Sequence, residues 1–163
     1  MPVQFEKPFL DACERIPLDC GDPAAWAANT SAQEFSVSRD ASEGAIRFDS
    51  AWTKPGDRWF YPEYTLKLPA ETLEGAEMVE FEVRSEQDKI ENDFVTQNLM
   101  LVRQDGTRRT LPFEPPVGEW ERRRVELRHE TDLGEVVSIR LGANPKGARC
   151  AFLVRNLTKL KRR

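Results

Sequence analysis

Hydrophobic and polar residues alternate along most of this chain, most clearly over residues 116–144, PVGEWERRRVELRHETDLGEVVSIRLGAN. Within it, residues 120–127 set Arg123, Val125 and Leu127 on one face and Arg122, Arg124 and Glu126 on the other. Residues 136–141 set Val137, Ile139 and Leu141 together in the same way. A side-chain period of two predicts half-buried strands with one face on a core. Between them residues 129–134 are short, polar and end in glycine, as a connection should.

The same pattern recurs at intervals. Residues 34–38 and 45–49 read as strands joined by the polar turn 39–44. Residues 59–68 read as a strand interrupted by Pro62, which implies an edge, a bulge or two shorter pieces. Residues 69–76 form a single turn crossing between sheets, and 78–85 alternate with Val79, Phe81 and Val83 inward. Residues 94–103 are apolar on both faces in the middle, as a central strand would be. Gln104, Asp105, Gly106 and Thr107 carry a hairpin signal, with 108–113 returning. Pro115, Pro116 and Gly118 break the chain, and 149–157 form the last strand. Ahead of these, 3–20 is a leading segment of short apolar pieces. Residues 21–30 read as a turn and one or two helical turns, with Asp22 as N-cap, Pro23 at the first helical position and Trp26 packing on the sandwich edge. Roughly eight to ten strands with few helical patterns predict an all-β antiparallel sandwich, a single domain over residues 1–163.

Composition narrows the picture. A chain of 163 residues buries about 70% of its unfolded surface, enough for a core without staples. No apolar run approaches the roughly 18 residues of a membrane span. Gln4, Glu6 and Lys7 stand where a signal peptide would be apolar, so none is expected. Location stays open: cytoplasmic if the chain is complete, extracellular or periplasmic if it is a module excised from a larger protein. The net charge of −4 argues against nucleic acid as partner, and alternation splits Arg122, Arg123 and Arg124 over two faces. The basic end 159–163 is expected to be a solvated tail. Three cysteines are too few for a disulfide framework. A Cys13–Cys20 bridge and three free thiols both stay open, with Cys150 expected to be buried in a strand.

No catalytic motif stands out. His129 lies in a polar connection, no serine sits in a G-x-S-x-G elbow, and no glycine-rich loop resembles a phosphate cradle. Glu80 and Glu82 share a strand face, but no carboxylate pair has the placement that glycoside hydrolysis needs. Sugar binding asks for less: aromatic faces to stack on pyranose rings and a few planar polar groups. Residues 51–64 gather Trp52, Trp59, Phe60, Tyr61 and Tyr64, five aromatics in fourteen positions against 9% overall. Alternation puts Trp59 and Tyr61 on one face and Phe60 on the other, so these rings either stack on a sugar or cap the sandwich. A second set is Arg47, Arg84 and Arg140, outward in their strands, joined by Asn98 or Gln97. They would suit a carboxylated or sulfated sugar, or pair across strands with Glu80 and Glu82.

Five short pieces in order resemble the galactose-binding-like jelly roll of many carbohydrate-binding modules. They are Leu18, Asp19, Asp22 and Trp26; Leu73, Gly75, Ala76, Val79, Phe81, Val83 and Arg84; Gly118, Glu119 and Trp120; Ile139, Leu141, Gly142, Asn144 and Pro145; and Phe152, Val154, Arg155, Asn156 and Leu157. The resemblance covers about residues 18–160. It implies a non-catalytic module that binds polysaccharide or oligosaccharide, accessory to a catalytic domain of the same parent. It implies no cofactor. The structural calcium of these families is doubted because Arg155 stands where an acid is usual, although Glu6, Asp19 and Asp22 offer oxygens. A structural or protein-interaction sandwich, and a small lyase or hydrolase on the same fold, are the alternatives. If the aromatic segment binds sugar, Trp59→Ala weakens polysaccharide binding in calorimetry and leaves the thermal midpoint nearly unchanged. A large drop in the midpoint would make Trp59 a core residue.

Overall fold

Alternation of inward apolar and outward polar residues closes two antiparallel sheets face to face. In the computed structural model, residues 3–30, 32–51, 62–86, 97–114, 116–143 and 149–163 are described. Among them α1 (Val3–Asp11) leads into β1 (Cys13–Pro17), a 3-10 turn (Pro23–Ala25), β2 (Trp26–Asn29), β3 (Glu34–Asp40) and β4 (Ala45–Ala51). Then come β5 (Glu63–Lys67), β6 (Ala76–Ser85), β7 (Gln97–Arg103), β8 (Arg108–Phe113) and β9 (Glu121–Glu126). A second 3-10 turn (Leu133–Glu135) precedes β10 (Val136–Ala143) and β11 (Arg149–Arg162). The first sheet runs β3-β4-β11-β6-β9, with β1 paired to the far half of β11, and the second runs β2-β5-β10-β7-β8. Strands β9 and β10, whose alternation is the clearest in the sequence, therefore lie in opposite sheets.

Aromatic rings join the layers. Phe48 of the first sheet packs 5.0 Å from Trp26 and 4.6 Å from Tyr64 of the second, and 4.9 Å from Phe152 on its own sheet. All four are buried. The Tyr64 hydroxyl would be costly here without a partner; it pairs with Ser50 Oγ at 2.6 Å. Burial also pushes the Tyr64 hydroxyl well above its ordinary range and the Cys150 thiol up to about 12, so both stay neutral.

Three features differ from the sequence expectation. Trp26 is a core residue that opens β2, its Nε1 donating to Cys20 O at 3.0 Å, and the helical turn before it is only Pro23–Ala25. Its Asp22 cap is as expected, with Oδ1 accepting from Ala24 N at 2.9 Å. The leading segment is α1 and β1 rather than irregular pieces: Phe9 and Leu10 of α1 cover Cys13, Met78 and Leu160, a small second core outside the first sheet. The basic end is strand, not tail. Lys159, Leu160 and Lys161 pair with Ile16, Arg15 and Glu14. Asn156, at φ 56°, sits where the β11–β6 register shifts between Arg155 and Thr158, so an extra residue is absorbed and Arg155 and Thr158, three apart, both stand opposite outward glutamates, Glu82 and Glu80. Of the two readings left open for the cysteines the structure has the free thiols, with Cys13 in the small outer core, Cys20 against the main one and Cys150 buried in β11.

The ring cluster gives the first structural test. Phe48→Ala should lower unfolding free energy by about 3–5 kcal/mol, read as a lower urea midpoint. A loss below about 1 kcal/mol would show that the rings do not join the sheets.

Candidate functional site

Each sheet turns one face to solvent, and the two faces are built differently. On the first sheet the outward positions are Arg47 and Asp49 on β4, Arg155 on β11, Glu80, Glu82 and Arg84 on β6, and Arg122 and Arg124 on β9. They interlock. Arg47 Nε donates to Asp49 Oδ2 at 2.7 Å and its Nη2 lies 2.8 Å from Glu86 Oε2. Arg84 Nη2 donates to Glu86 Oε1 at 3.2 Å. Arg155 donates from Nε to Glu82 Oε2 at 2.6 Å and from Nη1 to Glu43 Oε2 at 3.2 Å. The indole of Trp120 closes this group: Nε1 donates to Glu43 Oε2 at 3.1 Å, while the Arg155 guanidinium stands 3.9 Å from the ring centroid. Further along, buried Glu80 meets Arg15, Arg124 and Arg122.

Electrostatics follow from that geometry. Burial alone would raise the Glu80 carboxyl, but hydrogen bonds from Arg124 and Arg15 and the charges of Arg15 and Arg122 outweigh it and hold it below the ordinary glutamate value. The Arg47 hydrogen bond does the same for Glu86. A general acid needs the opposite shift, so this face is poorly suited to proton transfer. Arg155 occupies the carboxylate oxygens of Glu82 and Glu43, and these residues do not fit a divalent cation. Among the described residues no three His, Cys, Asp or Glu side chains are grouped to hold a metal ion.

The second sheet is open. With Tyr64, Leu66, Ile139, Leu141, Leu99 and Leu101 inward, its outward rows run Glu63–Gly142–Asn98–Pro112, Thr65–Arg140–Met100–Thr110 and Lys67–Ser138–Val102–Arg108. Arg108 Nη1 comes within 3.9 Å of Glu63 Oε1, although β7 and β10 lie between their strands. The two also stand in rows four residues apart. On a flat sheet about 14 Å across the strands and about 13 Å along them would hold their backbones about 19 Å apart, beyond the joint reach of the two side chains. The face is therefore concave along that diagonal. Arg140 crosses its floor, donating from Nε to Thr65 Oγ1 and from Nη1 to Glu63 Oε2, each at 3.1 Å. Gly142 in the neighbouring row is buried, because Met100, Pro62 and Glu63 fill the space beside it: a Cβ there would stand 3.1 Å from Met100 Cε. Strand registers Ala51↔Arg149, Glu63↔Gly142 and Gln97↔Ala143 put the strand ends flanking 52–61, 87–96 and 144–148 at one end of the sandwich. At the other end Glu74, Glu77, Glu130 and Asp132 line a recess of about 430 Å³, and Glu71 and Glu135 help line a neighbouring one of about 370 Å³.

The sequence-derived site residues separate accordingly. Arg47 and Arg84 belong to the interlocked face, Arg140 and Asn98 to the concave one, so the three arginines do not form one cluster. Arg47 and Arg84 do pair with carboxylates, but with Asp49, Glu86 and Glu43 rather than Glu80 or Glu82. Trp52, Trp59 and Tyr61 lie outside the described residues, and Tyr64 is core. His129 is exposed. Glu63, Lys67 and Arg108 were not singled out from the sequence. Glu63 and Lys67 were within reach: once Tyr64 and Leu66 point inward, the period of two sends Glu63, Thr65 and Lys67 outward together.

No protein-family model matches this sequence, and no curated protein matches it. Solved structures match over nearly the whole chain. A variant of a family 29 carbohydrate-binding module, complexed with mannohexaose, superposes with a TM-score of 0.62 at 11% identity over 91% of this chain and 92% of the module. A family 11 carbohydrate-binding module from Clostridium thermocellum, in complex with a β-1,3-1,4-mixed-linked tetrasaccharide, gives 0.64 at 11% identity over 91% and 96%. An agarase gives 0.65 at 12% identity over 91% of this chain and 24% of its own. The jelly-roll sandwich expected from the ordered motifs is thus the fold of the chain, shared with carbohydrate-binding modules.

The charged face carries a pH prediction. Because the folded Glu80 carboxyl is held below its unfolded value near 4.3, its stabilisation is present above that pH and is lost as pH falls through the lower folded value. Glu80→Gln should therefore cost about 1–2 kcal/mol at neutral pH, discounted because Arg15 and Arg122 are half exposed, and flatten the loss of thermal stability below about pH 5. An unchanged acid limb would contradict the pairing.

Proposed function

We propose that the chain is a non-catalytic carbohydrate-binding module whose glycan lies along the concave outer face of the second sheet. The observation that carries this reading is the contact between Arg108 and Glu63 across two intervening strands, because it makes that face a trough rather than a plane. Within the trough Arg140, Thr65, Glu63 and Asn98 offer planar and hydroxyl hydrogen-bonding groups, Arg140 already held in place by two bonds. Val102 and Pro112 supply apolar surface beside them. Few, oriented polar groups on a partly apolar trough are what a hydroxyl-rich chain needs. The shared fold with modules complexed with mannohexaose and a mixed-linked tetrasaccharide supports the same reading.

Two finer points belong to it. The module serves a catalytic domain of the same parent, as its match to 24% of an agarase suggests, and acts outside the cell on polysaccharide. It needs no bound metal ion, because Arg155 supplies the positive charge between Glu82 and Glu43. No helix among the described residues is long and apolar enough to cross a membrane. The spacer alternative calls for a broad exposed apolar patch. The described residues show Phe35 and Val117 as their exposed large hydrophobics, and these do not make one.

Calorimetric titration against a panel of neutral and acidic polysaccharides tests the proposal. At least one should bind, and Arg140→Ala should weaken that binding about ten-fold or more, the loss of a charged hydrogen bond, with a small change in thermal midpoint. Absence of binding to every member, or an Arg140→Ala variant that binds as tightly as the parent, would overturn it.

A further inference from the structure

The two outer faces use the same residue types and differ in how their charge is matched. On the first sheet Arg47, Arg84 and Arg155 each lie within 3.2 Å of a carboxylate oxygen, and their charge is matched locally. On the second sheet Arg140, Arg108 and Lys67 face the trough, and Glu63 is the carboxylate that both arginines approach. The trough is thus cationic on a chain whose net charge is −4. The two arginines are also unequal. Arg140 is mostly covered and bound to Glu63 at 3.1 Å. Arg108 is 54% exposed and stops 3.9 Å from the same carboxylate, beyond hydrogen-bond reach, so solvent screens the contact and its donors are not committed to Glu63.

We infer that the trough selects an anionic glycan, one bearing carboxylate or sulfate groups, and that Arg108 reads the charge. The inference rests on the groove reading above. A guanidinium meets a carboxylate or sulfate with two parallel N–H donors and fixes its orientation as well as its charge. An anionic sugar group entering the trough takes the place beside Arg108 that Glu63 approaches but does not fill. Lys67, exposed in the same outward row as Arg108, adds a second, less directional charge. Glu63 stays with Arg140 and keeps that side chain aimed across the floor.

Paired polymers that differ in charge test this: polygalacturonate with its methyl ester, and dextran sulfate with dextran, by calorimetry on the full chain. The charged member of at least one pair should bind about ten-fold tighter, and the preference should shrink as salt rises to about 0.5 M. Which pair shows the preference tells carboxylate from sulfate. Arg108→Gln should bring the two members of that pair close to parity. Arg84→Gln, on the opposite face, should change neither. Equal binding within both pairs would overturn the charge preference while leaving the groove reading intact, and so would an Arg84→Gln variant as impaired as Arg108→Gln. Absence of binding to any charged or neutral polymer would remove both.

Discussion

Four rings hold the two sheets together, and much else in the molecule follows from which way they point. Phe48 and Phe152 come from the first sheet, Trp26 and Tyr64 from the second, and they meet in a buried cluster. Side chains alternate along a strand, so placing Phe48 inward sends Arg47 and Asp49 outward, and placing Tyr64 inward sends Glu63 and Thr65 outward. Slipping either strand by one residue would put charge in the core and rings in water. The Ser50–Tyr64 and Trp26–Cys20 hydrogen bonds secure that register by giving the polar tips in the cluster their partners.

The faces released by this constraint were put to different uses. On the first sheet cations and anions alternate along and across strands so closely that arginine and carboxylate satisfy one another, and Trp120 lies against the network's middle. Individually such exposed pairs stabilise little, but as a network they hold side chains in place and leave few unmatched donors for a ligand. The far end of that sheet is roofed by α1 over Met78 and Leu160. On the second sheet the polar groups are sparser, Arg140 crosses the floor beside buried Met100, and the curvature brings the walls toward each other. One face is stitched shut and the other is available.

Much of the sandwich was legible in the sequence because a period of two is a local signal. Strands β3 to β11 fall where alternation places them, and Asp22 caps its turn as its chemistry predicts. What alternation cannot tell is the sheet to which an outward residue belongs. Arg47, Arg84 and Arg140 all read as outward, and only the pairing of β10 with β5 and β7 puts Arg140 with Glu63 and Asn98 on the opposite side from the other two. Lys159 to Lys161 looked like a solvated end because pairing with β1 is a long-range event, and the left-handed Asn156 hides the alternation of β11. The α1–β1 segment is short, carries Pro8 within the helix and buries only a few apolar side chains, so its periodicity was too weak to read.

The central claim is that the concave face of the second sheet, not the interlocked face of the first, meets the glycan. Amide chemical-shift mapping of the labelled chain, titrated with mannohexaose and with hexagalacturonate, tests it most directly. The largest shifts should fall on Glu63 to Lys67, Gln97 to Arg103 and Val136 to Ala143, with Arg47, Arg84 and Arg155 nearly still. Shifts concentrated on those three arginines and Trp120, or none with either oligosaccharide, would contradict it.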